Sequence, residues 1–471
     1  MLVNYAYKFR LYPTKEQQVL LAKHFGCNRF VWNYFLNERQ QYYLNNKEDI
    51  ETERIKGILN YYDNAKELTR LKSTEEYNWL KECNSQSLQS TLKYLDTAYR
   101  MFFKKIARFP NFKSKDSKQS FTIPQFLTIE NNKGSSSKLH IPKFKEGIKV
   151  KQHRNIDFEK EKFVTATLSK NCSNEYYLSI IVEKEIQQQD KLTKVIGIDV
   201  GIKDFCVCSD GTIFENKKYL SKYEKKLKYQ QRKLSKKKKK SKKKEDVDNN
   251  KAQGKNRNKA KIKVAKIHNK ISNSRVDHLY KISKRITDEN QIICLEDLNI
   301  KGMQQNHHLA KAVGDCSWNT FNTLLEYKAK WKGRTMVKID RYFPSSQVCS
   351  NCGYQNTDLK DLKIREWTCP RCNMKHNRDI NASINILKQG LNLINKTSND
   401  NSSDYNSKNS NGNYNSNNSN NRDCHSKKNG GRDCRQKLGE LSSIEEAKNQ
   451  ETKSQETIKA QFEAQSSLAI G

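Results

Sequence analysis

The sequence predicts an α/β protein of more than one domain, and three features of the chain carry this prediction. Short segments of alternating apolar and polar residues are dense between about 121 and 185, as in SFTIPQFLTI and EYYLSIIVEK, and favour a small barrel or sandwich. Two further apolar runs, KVIGIDVG and QIICLEDLNI, indicate buried strands next to helical patterns. Two CxxC pairs beyond them predict a small metal-bound element.

Length and charge define the class of partner. The chain has 471 residues, enough for two or three domains, and its formal net charge is +37. Such a charge repels itself unless a polyanion neutralises it, so nucleic acid is the expected partner. A membrane is disfavoured, because no stretch reaches the ~18 apolar residues needed to span a bilayer and no signal peptide opens the chain. We expect a soluble, cytoplasmic protein that associates with the nucleoid when bound to DNA.

Residues 1 to about 120 combine one short strand with helices. YAYKFRLYP alternates as a strand does, and Thr14 with Gln17 predicts a capping box for the helix that follows. A second helix is predicted from about Ser85 to Ala107, with an apolar stripe at helical spacing. The loop RFPNFKSK after it could pack into the core or stack on bases, and the sequence leaves both open.

Two segments have biased composition. Residues 216–287 form two lysine-rich helical patterns around the run SKKKKKSKKK. The run itself predicts a solvated or disordered segment, whereas the basic helices on both sides favour a hairpin that follows phosphates. From about Leu393 the chain is rich in Asn and Ser and predicts disorder. Cys424, His425 and Cys434 within this tail lack the spacing of a second metal site.

The two CxxC pairs predict a zinc site. Its ligands are Cys349, Cys352, Cys369 and Cys372, and sixteen residues (353–368) separate the pairs. Four thiolates at this spacing can form a tetrahedron around one zinc ion, and they leave no position open for water. The zinc is therefore expected to be structural. His376 is a weaker alternative ligand, and the remaining cysteines are expected to stay free in a reducing compartment.

Three carboxylates follow elements that could converge. Asp199 ends the strand KVIGID, Glu296 ends the strand IICLE, and Asp379 opens the helix DINASINIL. Functional groups of α/β sheets gather at the carboxyl ends of strands, and carboxylate oxygens favour Mg²⁺ or Mn²⁺. A pair of such ions about 3.5–4 Å apart hydrolyses phosphodiesters. Each acid alone could also cap a turn or a helix, the roles we expect for Asp204, Asp210 and Asp297.

Motifs along the chain resemble one family. In order they are YKFRLYPT, GCNRFVWN, GIDVGIKDF, LEDLNI, YFPSSQVCSNCG and REWTCPRCNMKHNRDINASINI. They resemble the TnpB (OrfB) proteins of insertion-sequence transposons over about residues 4 to 390. The resemblance implies a metal-dependent endonuclease that cleaves double-stranded DNA beside a short transposon-adjacent motif. Its guide RNA is made from the transposon end, and its catalytic acids carry over to Asp199, Glu296 and Asp379.

The resemblance also implies an arrangement of split domains. A RuvC-like nuclease of RNase H fold is expected at 191–345 and 374–392, with the basic insert 216–287 inside it. A zinc ribbon that binds target nucleic acid is expected at 346–373. A wedge-like β-barrel is expected at 1–15 and 121–190, a helical recognition lobe at 16–120 and a disordered tail at 393–471. One departure concerns HNRD, where many relatives read HDRD. The acid before INA, Asp379, is intact.

Alternative functions remain open at this point. A compact type V CRISPR effector would share the RuvC and zinc parts, and the sequence does not show which locus encodes the chain. A catalytically inactive RNA- or DNA-binding regulator is disfavoured because all three acids are present. A transposase that itself joins strands is disfavoured because no tyrosine or serine recombinase arrangement is evident. We expect a monomer bound to its RNA.

Overall fold

A computed structural model describes residues 1–51, 59–115, 118–130, 137–187, 189–242, 254–361 and 363–406. All of these except 404–406 belong to one compact unit, Met1–Ser403. The end of the lysine run and the tail beyond 406, with Cys424, His425 and Cys434, lie outside the described residues. In the part of the chain that is described, no helix has the length and apolar character needed to cross a membrane.

The first half of the chain begins with a strand and then a group of helices. Its elements are β1 (Leu2–Tyr12), α1 (Lys15–Asn45), α2 (Lys47–Glu51), α3 (Tyr61–Ser73), α4 (Ser85–Phe103), β2 (Gln119–Ile123), β3 (Thr128–Glu130), β4 (Lys138–His140), β5 (Ile148–Lys151), β6 (Lys162–Lys170) and β7 (Tyr176–Glu185). The capping box is confirmed, because the Thr14 hydroxyl accepts from the backbone of Gln17 and the Gln17 side chain accepts from that of Thr14.

The strands of this half form one antiparallel sheet. Its seven strands have the order β2-β6-β7-β1-β5-β4-β3, so β1 lies in the middle although it comes first in the chain. Alternate side chains of β1, including Phe9 and Leu11, point into a core shared with Leu178 and Ile180 of β7. β2 and β3 end the order of the described strands.

The helices α1, α3 and α4 have a core of their own. The predicted stripe of α4 is buried at Leu88, Leu92, Leu95 and Tyr99. The helix ends at Phe103, before the predicted Ala107, because Lys105 takes a left-handed conformation with φ of 57°. In the loop that follows, Phe109 packs against this core. The structure therefore favours the core-packing interpretation of that loop.

The second half contains a mixed sheet, a long helical hairpin and the cysteine-rich element. Its elements are β8 (Val195–Val200), β9 (Asp204–Cys208), β10 (Ile213–Glu215), α5 (Tyr219–Lys242), α6 (Lys255–Glu289), β11 (Ile292–Glu296), α7 (Ile300–Gln305), α8 (His307–Cys316), α9 (Trp318–Lys332), β12 (Thr335–Ile339), β13 (Glu366–Thr368), β14 (Lys375–Asn377) and α10 (Arg378–Asn406). The five-stranded sheet has the order β10-β9-β8-β11-β12. β8, β11 and β12 are parallel, and β9 and β10 are antiparallel to their neighbours.

The basic insert is a helical hairpin where it is described, as its composition predicts. Leu227 of α5 packs against Ile267 and Ile271 of α6, and these buried side chains hold the two helices together. The other end of α6 packs on α9 through Ile282 and Ile286. The hairpin is therefore anchored in the core of the five-stranded sheet, while its lysines lie on its outer surface.

Two predicted boundaries differ from the observed ones. The helix α10 continues to Asn406, whereas the tail was expected to begin at 393. Leu393 extends the apolar stripe of the helix and packs against Cys294, Ile339 and Ile386, so this part of the segment does bury apolar surface. The strand β14 lies after 373, the expected end of the cysteine-rich element. The second CxxC stands at the tip of a hairpin, and its return strand needs these residues.

A buried lysine of α9 forms hydrogen bonds to α6. The Lys328 side chain donates to the Tyr280 carbonyl at 2.8 Å and to the Ser283 hydroxyl at 2.9 Å, and the residue is only 4% exposed. Desolvation by burial lowers the pKa of Lys328 to about 8. Because the folded state then binds fewer protons than the unfolded state, stability should rise with pH from about 8 to the ordinary lysine pKa.

We expect Lys328→Met to fit the same space without a buried charge and to raise Tm at pH 7 by about 2–4 °C, the shift for roughly 1 kcal/mol in a large domain. Ser283 keeps its hydrogen bond to the Leu279 carbonyl in this variant. The measurement is Tm from pH 7 to 10. The difference in Tm between the variant and the wild type should shrink as the pH rises over this range. A difference that stays constant would contradict the lowered pKa of Lys328.

Candidate functional site

The helix α10 lies directly on one face of the five-stranded sheet. A Cβ atom at Gly197 of β8 would overlap the backbone oxygen of Ser383, and a Cβ atom at Gly390 of α10 would overlap the Cys294 sulfur on β11. Glycine is therefore required at both positions, because only the absence of a side chain lets helix and strands approach so closely.

This close approach explains how Asp199 and Glu296 come to face the helix. Side chains two residues apart in a strand point to the same face of the sheet. Asp199 therefore shares the face of Gly197, and Glu296 shares the face of Cys294, which is the face that the helix covers. The parallel pairing of β8 with β11 places Ile198 opposite Leu295. The next residues of the two strands are Asp199 and Glu296, which are therefore neighbours at the carboxyl ends of their strands.

Asp379 approaches the same place from the helix. It lies in the first turn of α10, one turn before Ser383, and so over the carboxyl end of β8. The Asn377 side chain accepts from the backbone N–H groups of Asp379 and Ile380, at 3.1 and 3.2 Å, and caps the helix. Asn377 is the residue at which HNRD departs from HDRD, and asparagine caps a helix as well as aspartate does.

The electrostatics of Asp199 show that the three acids share one environment. Burial raises the pKa of Asp199 well above its usual value, and repulsion from Glu296 and Asp379 raises it further, while Arg378 and Arg365 act in the opposite direction. Burial also raises the pKa of Glu296. Asp199 and Glu296 are both partly buried, and carboxylates in such surroundings that repel one another are costly unless cations neutralise them. The arrangement therefore suits the binding of cations and, without them, lowers the stability of the fold.

Two further side chains contact these acids, and the motifs alone did not single out either. The Ser345 hydroxyl donates to Glu296 Oε1 at 2.5 Å. The Arg365 guanidinium contacts both carboxylate oxygens of Asp379, at 3.1 and 3.3 Å. Both belong to segments adjoining the cysteine pairs, so the only available signal was their place within the motifs YFPSSQ and REWTCP.

Polar side chains of α10 hold the segment that carries Ser345. Asn385 donates to the carbonyls of Ser345 and Val348, at 2.8 and 2.6 Å. One turn earlier, Asn381 donates to the Val348 carbonyl and accepts from the Ser350 backbone N–H. Both asparagines are buried. The same helix that presents Asp379 thus also fixes the backbone around the serine that orients Glu296.

The four predicted zinc ligands come together. The sulfur atoms of Cys349, Cys352, Cys369 and Cys372 all lie within 4.8 Å of one another, and in the described residues no other group of three or more His, Cys, Asp or Glu is this compact. In each pair a backbone N–H donates to the first cysteine's carbonyl: Gly353 to Cys349 and Asn373 to Cys369, at 2.9 and 2.8 Å. Gly353 and Asn373 have φ of 75° and 55°, so each pair ends in a left-handed turn.

The chemistry of this set fits zinc. Four sulfur donors at this close mutual spacing match the tetrahedral thiolate coordination of a structural site, with no open position. His376 lies beside the set, with Nε2 at 3.0 Å from the Cys349 sulfur, and its ring is 4.8 Å from that of Trp367. The predicted ligand set is therefore brought together, and His376 is a neighbour of it.

The three carboxylates are less tightly grouped than the sulfurs, and Glu296 and Asp379 each have a protein partner. Their donor set of hard oxygens nonetheless fits Mg²⁺ or Mn²⁺, and the mutual repulsion at Asp199 is what such a cation would relieve. Of the acids expected to be structural, Asp297 pairs with Arg341 at 2.6 Å and Asp210 accepts from the Thr212 backbone at 2.9 Å. β11 ends at Glu296, so Asp297 lies beyond the strand.

Three family models match parts of the chain. Residues 179–307 match one described as "Probable transposase" of the OrfB_IS605 group, residues 318–386 match a Cas12f1-like TNB domain, and residues 1–48 match a helix-turn-helix domain. In the structure that last range holds the strand β1, the 31-residue helix α1 and the first two residues of α2.

Curated relatives match most of the chain. A "Putative RNA-guided DNA endonuclease" of Streptomyces pristinaespiralis is 34% identical, covering 83% of this chain and 90% of the relative. The "Putative RNA-guided DNA endonuclease InsQ" of Escherichia coli K12 is 28% identical, covering 82% and 92%. Among solved structures, a chain of the Cas12f1-sgRNA-target DNA complex is 14% identical, covering 82% of this chain and 98% of that one, with a TM-score of 0.49. The identity of 34% to the Streptomyces relative, over most of both chains, shows that this protein belongs to the OrfB (TnpB) family of IS605-type transposons.

Proposed function

We propose that this protein is a transposon-encoded, RNA-guided DNA endonuclease. The observation that carries the proposal is the identity of 34% over 90% of a relative named for that activity, in a chain that keeps all three acids at one edge of the sheet. The order of the five strands, in which β9 alone runs opposite to the other four, supports the RNase H-like assignment of the core. We also propose that cleavage takes place in the cytoplasm, on the DNA of the nucleoid.

In the proposed mechanism Asp199, Glu296 and Asp379 are the residues that would hold two divalent ions. When bound, such ions activate a water molecule and stabilise the leaving oxygen of the phosphodiester. The protein contributes the position of each carboxylate: the register of β8 with β11 sets Asp199 beside Glu296, and α10 places Asp379 above them. The Ser345 hydroxyl holds one oxygen of Glu296 and leaves the other free for a ligand.

The segment of residues 346–377, which holds the two cysteine pairs, β13 and β14, is called the zinc element below. We also propose that its zinc ion is structural and that the element binds target nucleic acid. Its four sulfurs leave no coordination position for water, which supports a structural role. The split domain boundaries expected from the sequence are kept as a proposal, with the sheet of β1–β7 as the wedge-like domain and α1–α4 as the recognition lobe. An inactive regulator would lack the cleavage activity tested below.

The guide RNA is proposed to lie against the basic hairpin of α5 and α6. Lys225 and Lys226 are exposed on α5, and a net charge of +37 needs a polyanion. We expect the purified protein to carry a structured RNA. Its affinity should fall steeply with salt, by about 10³-fold between 50 and 200 mM if roughly six phosphates are neutralised.

The test measures RNA affinity against salt for the wild type and for a double Lys225→Gln, Lys226→Gln variant. The logarithmic slope should become shallower by about one for each phosphate that the variant no longer neutralises. The matched Lys225→Arg, Lys226→Arg variant keeps the charge and should keep the slope. An affinity that does not change with salt would remove the electrostatic basis of the proposal.

The copurified RNA also supplies the decisive assay. Sequencing it identifies the guide segment. In a plasmid library that carries the matching sequence beside randomised flanking bases, some members should be cut in Mg²⁺ and all should stay intact in EDTA. A plasmid without the match should stay intact under both conditions. No cutting of matched plasmids by a protein that carries its RNA would favour an inactive binder.

A further inference from the structure

Arg365 links the zinc element to the carboxylate centre, which is the group formed by Asp199, Glu296 and Asp379. It lies between the two cysteine pairs, 14 residues before Asp379, and its guanidinium reaches both oxygens of that acid. The two side chains are 47% and 26% exposed, so the pair is accessible from solvent. Arg365 also lies close enough to Asp199 to act electrostatically on that carboxylate.

The backbone of the zinc element fixes this interaction. Glu366 of β13 pairs with Asn377 of β14, at the end of the hairpin away from the second cysteine pair. The Arg378 backbone N–H donates to the Arg365 carbonyl at 2.8 Å. Arg365 is thus bound to the residue immediately before Asp379, and the position of the hairpin decides where its side chain can reach.

The chemistry of the ion pair determines its consequence. A guanidinium stays charged at every physiological pH, and here one of its nitrogens, Nη1, lies within hydrogen-bond distance of both carboxylate oxygens. The Asp379 oxygens are the same atoms that would coordinate a divalent ion. An ion arriving at Asp379 therefore has to displace Arg365 or share the carboxylate with it.

We propose that Arg365 competes with divalent ions for Asp379, so that the zinc hairpin sets how readily the carboxylate centre takes up metal. The inference rests on the proposed function in taking Asp199, Glu296 and Asp379 as the metal site. Because the pair is partly exposed, the effect is graded: removing Arg365 tightens metal binding by about two- to fivefold, which corresponds to roughly 0.5–1 kcal/mol. Salt screens an exposed pair, so the difference narrows as ionic strength rises.

The experiment measures Mn²⁺ affinity by the loss of the free-ion electron paramagnetic resonance signal. The sample is the full-length protein, stripped of RNA and with its zinc content verified. Arg365→Gln should bind Mn²⁺ two- to fivefold more tightly than the wild type. Arg365→Lys should lie between them, because a lysine keeps the charge but carries it on a more strongly hydrated group at the end of a flexible stem. Arg371→Gln removes the same charge from another exposed residue of the zinc element and should match the wild type.

The outcomes separate this inference from the function on which it rests. Equal or weaker Mn²⁺ binding by Arg365→Gln overturns the competition while leaving the metal site in place. Asp199→Asn and Asp379→Asn serve as references and should each weaken Mn²⁺ binding severely. If neither of them changes it, the three acids hold no metal, and the proposed nuclease mechanism fails together with the inference.

Discussion

Replacing any one of Asp199, Glu296 and Asp379 by its amide should abolish Mg²⁺-dependent cleavage of a matched plasmid, with losses of about 10³-fold or more. RNA binding should persist, because it depends on the basic surface and not on the carboxylates. The losses should not add. Once one ligand is gone the pair of ions is already disrupted, so a double variant should be scarcely slower than a single one.

Stability provides a readout that a structural role would move in the opposite direction. Asp199 is partly buried next to two other acids that repel it. The amide removes this repulsion, so Asp199→Asn should raise Tm in the absence of added divalent ions while it eliminates cleavage. A residue needed for folding would lower Tm instead. Gains in stability with loss of activity are typical of active-site groups.

Asp297→Asn is the matched control for these variants. It changes the residue next to Glu296 and disrupts an exposed ion pair with Arg341, which is worth little. Cleavage and Tm should both stay close to those of the wild type. Near-normal cleavage by any of the three amide variants would remove that acid from the proposed centre.

The sheet that carries two of these acids could be predicted from sequence because its strands are short apolar runs that end in a carboxylate. β8 and β11 are such runs, and the motif spacing of the four cysteines is equally local. Local patterns reveal which residues lie in a strand. They also indicate which thiols can share an ion.

The interactions of Ser345 and Arg365 could not be predicted in this way, because they depend on how distant elements pack. Ser345 is 49 residues from Glu296 and reaches it only because asparagines of α10 hold its backbone. The glycines at 197 and 390 have the same character, since their requirement arises from a helix that lies on the strands. The end of α10 was also missed, because Leu393 finds its partners on other elements.

Loss of one zinc ligand should have the largest effect on stability. Cys349→Ser or Cys372→Ser should lower bound zinc from about one ion per chain and reduce Tm, because the metal supplies folding energy to an element with a core of only a few side chains. Apparent zinc-binding free energies of about 10–16 kcal/mol in small peptides far exceed what those side chains can contribute. Zinc content by elemental analysis and Tm are the measurements.

Cys172→Ser provides the control, because Cys172 is exposed and free. It should leave zinc content and Tm unchanged, whereas full zinc and normal melting in both ligand variants would exclude the four-sulfur site. Cleavage should fall in the ligand variants as well, since β14 leads directly into Arg378 and Asp379, and Ser345 lies four residues before Cys349. The zinc element thus holds two of the three acids in place from either side, and its unfolding should disable the centre even though it contributes no carboxylate of its own.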